Sequence, residues 1–188
     1  MRNFKLYVVT ENIGKLKEIR SLLSTIDVEP VNIPKIEIQA DKLEDVALYS
    51  AISAYLMLGK PLIVEDAGLF IKRLNGFPGV YSSFVFKTIG VNGILKLMRG
   101  VKDRRAYFKS VVAYADDVEV KLFSGIVYGV ITEKPRGNGG FGFDPIFVPE
   151  GYNKTFAEMS IEEKNKVSHR GIALGRFKEW LLERMSNP

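Results

Sequence analysis

The sequence contains no cysteine and only one histidine, His169, among its 188 residues. Without cysteine the chain cannot form disulfides, use a thiol nucleophile or hold zinc through thiolates. A single histidine also excludes a metal site built on several imidazoles. Any bound metal would therefore need oxygen ligands, which favours Mg²⁺ or Mn²⁺ over zinc.

Long apolar runs are also absent, since no segment approaches the roughly 18 residues that cross a bilayer. The N-terminal segment MRNFKLYVVT lacks the apolar core and the cleavage site of a signal peptide. The formal net charge is +5, but the basic residues are dispersed, whereas a nucleic-acid surface would cluster them. We therefore expect a cytoplasmic protein that binds neither a membrane nor a nucleic acid.

The first strand-to-helix turn lacks the usual phosphate-loop spellings GxxxxGK[ST] and GxGxxG. Residues 8–23, VVTENIGKLKEIRSLL, nevertheless begin as a buried strand and finish as an amphipathic helix. Asn12 is a good N-cap, the helix start offers free N–H donors to an anion, and Lys15 adds a mobile positive charge. The pattern fits a phosphate site, and it also fits a plain capped helix with a solvated lysine.

A pair of acidic residues, Glu65 and Asp66, stands in the stretch IVEDAGLF, where a short buried strand is predicted to end. Ligands of α/β sheets bind outside the carboxyl ends of strands, and acids there need water, a partner or a cation. Adjacent strand residues point to opposite faces, so one of the two enters a given cleft. We favour Asp66, which precedes the glycine turn by one residue, although an acidic strand-end turn without chemistry remains the alternative.

A third group of candidates lies in GNGGFGFDPIF and in the later stretch EEKNKVSHRG. Four glycines between residues 137 and 142 allow the backbone to approach a ligand closely. Phe141 or Phe143 could stack on a planar base, and Lys164, His169 and Arg170 supply donors beside the last helix. The alternative is a flexible loop with two core phenylalanines and a structural histidine.

The order of predicted elements is βαβαβ, then a helix near residues 91–98, a long hairpin turning at Asp116–Asp117, and a final helix. This order predicts an α/β fold with a mixed sheet and two lobes around a cleft, all within one unit of residues 1–188. Asp41 and Glu44 have the spacing of a capping box for the second helix. Its predicted buried positions are Val46, Leu48, Ile52, Tyr55 and Leu56.

Seven motifs occur in order along nearly the whole chain: TENIGKLKE, VEDAGL, NGFPGVYSS, GFGFDPIF, TFAEM, EEKN and VSHRGIAL. Together they resemble the inosine triphosphate pyrophosphatase family, also called the Ham1 or non-canonical purine NTP pyrophosphatase family. The resemblance implies an elongated mixed β-sheet flanked by helices, two lobes with a central substrate cleft, and a homodimer. It also implies Mg²⁺-dependent cleavage of ITP, dITP and XTP between the α- and β-phosphates.

The same resemblance assigns roles residue by residue. Asp66 would be the general base and a metal ligand, and Glu37, in IEIQA, would be a second metal carboxylate. Many relatives carry Ser or Thr at the position of Ala67, so only a backbone N–H contact to the substrate is implied there. The triphosphate would be held by Thr10, Glu11, Asn12, Ile13, Gly14 and Lys15. The base would be enclosed by Phe141, Gly142, Phe143, Asp144, Lys164, His169 and Arg170.

Two other functions are compatible with these residues. One is a pyrophosphatase of other modified nucleotides, as in the similarly folded Maf family. The other is a nucleotide-sensing or RNA-binding module without turnover. The acids of VEDAG argue against the second alternative, because a pure phosphate binder gains little from carboxylates beside an anion.

Overall fold

The computed structural model describes residues 4–34 and 36–186. Within these ranges one six-stranded sheet has the strand order β2-β1-β3-β4-β5-β6. The first three strands are parallel, whereas β3, β4, β5 and β6 pair antiparallel, so the predicted mixed α/β sheet is confirmed. The strands are β1 Lys5–Val9, β2 Asp27–Val31, β3 Leu62–Ile71, β4 Arg105–Ala115, β5 Val120–Ile131 and β6 Phe147–Pro149.

Six α-helices flank the sheet in the described ranges. They are α1 Ile13–Leu22, α2 Leu43–Leu58, α3 Ser82–Thr88, α4 Gly90–Leu97, α5 Ile161–Val167 and α6 His169–Ser186. None of the described helices is long and apolar enough to span a membrane.

Three hydrophobic clusters cover the sheet, and alternation along the strands decides which residue joins which cluster. Ile63 and Tyr114 face α1 and α6 on one side, in a cluster with Phe177. Val64 and Ala113 face α2 on the other side. Beyond α1 and α6, the first side is covered by a third cluster that includes Phe108 and residues of α3 and α4.

The predicted buried face of α2 is correct at Val46, and Tyr55 is partly buried against the core, but the prediction is wrong at Ile52 and Leu56. Leu56 is 80% exposed and Ile52 is also exposed, whereas Ala47, Ala51 and Ala54 are fully buried against the sheet. The small side chains allow the helix axis to lie close to the strands, and the large apolar residues fall on the outer face. The helix also begins at Leu43 with no side-chain cap, so the capping box predicted at Asp41 and Glu44 does not form.

None of the described helices covers one part of the sheet. On the side covered elsewhere by α2, the outer halves of β3, β4 and β5 present a row of apolar side chains. Phe70 and Tyr107 stack with ring centroids 4.8 Å apart, and Tyr128 beside them is 60% exposed. We call this surface the open sheet face; its members are Phe70, Tyr107, Ile126, Tyr128 and Val130.

Candidate active site

A cleft of about 960 Å³ opens between the start of α1, the middle of β3, α3 and the loop before β6. Its volume is that of a small-molecule site. Fourteen of the residues singled out in the sequence line it: Thr10, Glu11, Asn12, Lys15, Glu37, Glu65, Asp66, Ala67, Phe141, Gly142, Phe143, Asp144, His169 and Arg170.

The turn before α1 is built as the sequence predicts. The Asn12 side chain caps the helix by accepting the Lys15 backbone N–H at 3.0 Å, and the Thr10 hydroxyl accepts the Asn12 N–H at 3.1 Å. Ile13, the first residue of α1, is largely exposed. The Lys15 ammonium is not solvated: it lies 2.9 Å from both the backbone oxygen and Oε2 of Glu65.

Gly14 is required by the contact that Phe141 makes with the helix start. A Cβ at Gly14 would lie 2.5 Å from Cδ1 of the Phe141 ring, so any larger residue would displace that ring. The ammonium of Lys164 and the guanidinium of Arg170 lie 4.9 Å and 5.2 Å from the ring centroid. Phe141 therefore closes over two cations and exposes part of its surface to the cleft.

Beneath Phe141 lies a set of charges that we call the buried ion-pair network. Glu18 of α1 accepts from Lys164 at 2.7 Å and from Arg170, and Lys164 also contacts Asp144. Arg170 Nε lies 3.2 Å from Glu65 Oε1, which accepts the Ser110 hydroxyl as well. Three acids and three bases balance in formal charge: Glu18, Glu65, Asp144, Lys15, Lys164 and Arg170.

Burial and neighbouring charges move the pKa values of this network in different directions. Burial alone would raise the pKa of Glu65, but Arg170, Lys15 and the Ser110 hydrogen bond bring it far below its usual range. For Asp144 burial prevails, and its pKa is raised despite the Lys164 ammonium. The pKa of Arg170 rises against the effect of burial because two carboxylates flank it. Glu65 and Arg170 are therefore ionised, and the network joins α1, β3 and α6.

Asp66 and Glu37 provide carboxylates elsewhere in the cleft. Asp66 points to the opposite face of β3 from Glu65, and its Oδ1 accepts the Ala67 N–H at 3.0 Å. Glu37 lies in the loop after β2 and is exposed. No group of three or more acidic, histidine or cysteine side chains that could hold a metal occurs in the described residues. Two carboxylates fit Mg²⁺, which keeps several waters and binds substrate phosphates.

His169 opens α6 and is buried against an aromatic wall. Its ring stacks on Phe108 at 4.6 Å between centroids, and Nδ1 has no hydrogen-bond partner among the described residues. Burial, Arg170 and Lys164 lower the pKa of His169 well below its usual value, so the ring is neutral at neutral pH. A neutral imidazole carries one N–H donor and one acceptor nitrogen.

Phe143 and Lys164, which were predicted to enclose the base, lie largely beneath the surface of the cleft. Phe143 is buried in the cluster of Phe108 and meets Phe86 edge-on at 5.4 Å. Lys164 is absent from the cleft lining and lies within the ion-pair network. The structure thus leaves Phe141 as the more accessible of the two ring surfaces in GFGFD.

Sequence reasoning missed several residues of the site. Glu18 is the acid that holds both Lys164 and Arg170, but in the sequence it is one of several charged positions on an amphipathic helix. Phe84, Phe86 and Lys87 line the cleft from α3, a helix that was not predicted. The motif NGFPGVYSS, which leads into α3, was the available signal.

Comparison with known proteins identifies the family of this chain. The model of the Ham1 family matches residues 6–180, and the chain belongs to this family. It is 56% identical over 178 residues to a dITP/XTP pyrophosphatase of Hyperthermus butylicus, covering 94% of each chain. It is 52% identical to a dITP/XTP pyrophosphatase of Pyrococcus horikoshii, covering 94% of this chain and 96% of the other. A HAM1 protein from Coxiella burnetii superposes with a TM-score of 0.85 at 31% identity, covering 96% and 99%.

Proposed function

We propose that this protein hydrolyses non-canonical purine nucleoside triphosphates (XTP, ITP and dITP) to the monophosphate and pyrophosphate. The observation that carries the proposal is the convergence of Asp66, the capped start of α1 and the ring of Phe141 on one cleft. The relatives from Hyperthermus butylicus and Pyrococcus horikoshii are named dITP/XTP pyrophosphatases, which supports dITP and XTP as substrates.

The chemistry follows from the placement of these groups. The N–H donors at the start of α1 bind phosphate oxygens, and Asp66 orients a water and accepts its proton as the oxygen attacks the α-phosphorus. Pyrophosphate leaves with the bridging oxygen. Asp66 and Glu37 would hold Mg²⁺, or Mn²⁺, which neutralises charge on the phosphate oxygens. The Ala67 N–H, engaged with Asp66, helps to fix the carboxylate.

Base selection is assigned to His169 and Phe141. Hypoxanthine and xanthine carry a keto oxygen at position 6, whereas adenine carries an amino donor there. A neutral His169 can donate its N–H to that oxygen. When ATP enters, the same N–H faces the amino group of adenine, which is also a donor. A buried donor that is left unpaired reduces the binding free energy by about 1–3 kcal/mol. Arg170 acts through its ion pairs, because its guanidinium is 2% exposed and faces Glu18 and Glu65.

The test is incubation of purified protein and Mg²⁺ with a panel of nucleotides, followed by identification of the products. We expect XTP and ITP to give XMP and IMP with pyrophosphate, with kcat/KM well above ATP and GTP. Release of XDP and orthophosphate would contradict the proposed bond cleavage. Preference for modified pyrimidine nucleotides would favour a Maf-like activity, and saturable binding without turnover would favour a sensing module.

We further propose that residues 1–188 act as one two-lobed unit in the cytoplasm, where nucleotide pools are used, and that two copies form a homodimer. The single sheet shared by all three hydrophobic clusters supports one unit. The open sheet face supports the homodimer, because contiguous exposed apolar side chains mark interaction surfaces.

A further inference from the structure

The cations that the sequence assigns to the nucleotide are already paired with carboxylates of the protein. Lys15 pairs with Glu65, and Arg170 pairs with both Glu65 and Glu18. Lys164 is likewise held by buried acids. The network is balanced in formal charge before any ligand enters, so it offers little net attraction to a triphosphate, which carries several negative charges. A further positive group on the phosphate side would add to the N–H donors of α1 and to the metal.

Lys87 of α3 has the properties of that group. Among the cations that line the cleft in residues 4–34 and 36–186, it is the one with no ion pair or hydrogen bond to the protein. Its side chain is exposed. Ser83, one helical turn earlier, also lines the cleft and lies on the same side of α3.

The position of α3 is fixed relative to the catalytic strand. The Ser82 hydroxyl accepts the Leu69 N–H at 2.8 Å, three residues after Asp66. A Cβ at Gly68 would lie 2.3 Å from the Gly79 oxygen, so the turn before α3 rests directly on the β3 backbone. Lys87 is therefore carried by a helix anchored beside Asp66, and α3 packs in a different hydrophobic cluster from α1.

We propose that Lys87 binds the β- and γ-phosphates of the nucleotide and then the pyrophosphate product. This inference rests on the proposed function and adds a residue to it. A lysine ammonium is a compact point charge on a flexible stem, which suits phosphate oxygens. The base end needs no such charge, because Phe141 can stack on the ring and the neutral His169 can form a hydrogen bond to it.

The experiment compares the wild type with Lys87→Gln, Lys87→Arg and the control Lys96→Gln. Lys96 is an exposed lysine of α4 that does not line the cleft. Binding of magnesium pyrophosphate and of the nucleoside xanthosine is measured by calorimetry at two salt concentrations. Melting curves check that each variant is folded. Turnover of XTP is measured in parallel.

We expect Lys87→Gln to weaken pyrophosphate binding by about 10-fold or more, because a hydrogen bond to a charged group is lost. Xanthosine binding should stay within about two-fold of the wild type, and its salt dependence should not change. Lys87→Arg should restore part of the pyrophosphate affinity, and Lys96→Gln should match the wild type.

Equal pyrophosphate binding by Lys87→Gln and the wild type would overturn this role of Lys87. So would an equal loss of pyrophosphate and xanthosine binding, which a general distortion of the cleft would cause. Calorimetry needs no turnover, so a wild type that fails to hydrolyse XTP would refute the proposed function while the comparison still decides the role of Lys87.

Discussion

Glu65 and Asp66 are neighbours in β3, but their side chains leave opposite faces of the sheet and meet different surroundings. Glu65 is buried and neutralised by Arg170 and Lys15. Because both ion pairs engage its carboxylate, Glu65 is not favoured as a metal ligand. Asp66 also lines the cleft, and it is the acid to which we assign the chemistry in the proposed function.

Replacing Asp66 with Asn keeps the shape of the side chain but removes the base and an anionic metal ligand. We expect kcat for XTP to fall by roughly 10²–10⁴-fold, the range for loss of acid–base catalysis, while the melting temperature stays close to that of the wild type. The control is Asp117→Asn in the exposed β4–β5 turn, which should retain full activity. Turnover by Asp66→Asn within ten-fold of the wild type would exclude the assigned role.

His169 makes folding stability depend on pH. Its folded pKa lies well below the ordinary value of 6.5, because burial and nearby cations disfavour the imidazolium. At pH 7.5 the ring is neutral in both states and contributes no pH dependence. As the pH falls below 6.5 the unfolded chain gains a proton that the folded chain refuses, so stability is lost, by up to about 1.4 kcal/mol per pH unit.

Urea unfolding at pH 7.5, 6.0 and 5.0 tests this expectation. The wild type should lose stability as the pH falls through this window, and His169→Gln, which cannot titrate, should lose less. Because the pKa of Glu65 is lowered in the folded protein, Glu65 also causes a loss of stability at low pH. That loss begins only below about pH 4.5, the usual pKa of a glutamate, and so lies outside the tested range of pH 7.5 to 5.0. Identical pH dependence of the two proteins would show that His169 is not the source.

Among the secondary-structure elements, α6 is positioned by direct contact with the backbone of β5. A Cβ at Gly125 would lie 2.1 Å from the His169 oxygen and 2.7 Å from the Ala173 nitrogen. The start of α6 therefore rests on β5 without an intervening side chain, and this contact sets the depth of His169 and Arg170 in the cleft.

Gly125→Ala should force α6 away from the sheet and destabilise the fold by about 1–3 kcal/mol, the usual cost of overpacking. Gly175→Ala is the matched control, since it lies within α6 and its Cβ would meet nothing within 4 Å. That control should gain up to about 1 kcal/mol from higher helix propensity. Chemical denaturation measures both, and equal stabilities of the two variants would contradict the contact argument.

Elements with strong local signals were predicted, and those that depend on tertiary packing were not. Periodicity and turn chemistry predict the strand before Thr10, the α1 cap at Asn12, the hairpin of β4 and β5, and the final helix, α6. The buried face of α2 was not fully predicted. The large apolar residue Leu56 was expected to face the sheet, but it is exposed, and alanines pack against the sheet instead. The length of β3 also escaped, since Asp66 lies inside the strand and was expected at its end.

For the molecule as a whole, the open sheet face predicts the oligomeric state. Tyr128→Glu would place a charge within this apolar surface, and we expect it to convert a dimer to a monomer in multi-angle light scattering. Val118→Glu is the control, because Val118 is equally apolar and 74% exposed but lies in the β4–β5 turn. A Tyr128→Glu protein that remains dimeric would place the interface elsewhere.

Residues of the candidate site could be predicted where a local sequence feature indicates their role. They could not be predicted where the role depends on partners that are distant in the chain. Asp66, Asn12 and Phe141 could be selected from sequence because a strand position, a cap and a glycine-flanked ring are local features. Glu18 could not, since its importance comes from two cations more than 140 residues away in the chain.

The charge balance of the buried ion-pair network has a consequence for how metal reaches this protein. Its buried acids are already paired, and the described residues hold no preformed three-ligand site, so we expect the free chain to bind a divalent ion only weakly. The metal is therefore expected to arrive as a complex with the nucleotide. Equilibrium dialysis should find little Mn²⁺ on the protein alone and stoichiometric Mn²⁺ with a non-hydrolysable triphosphate analogue. The rate should then follow the concentration of metal-loaded nucleotide, so that cellular magnesium would govern which share of the pool is open to removal.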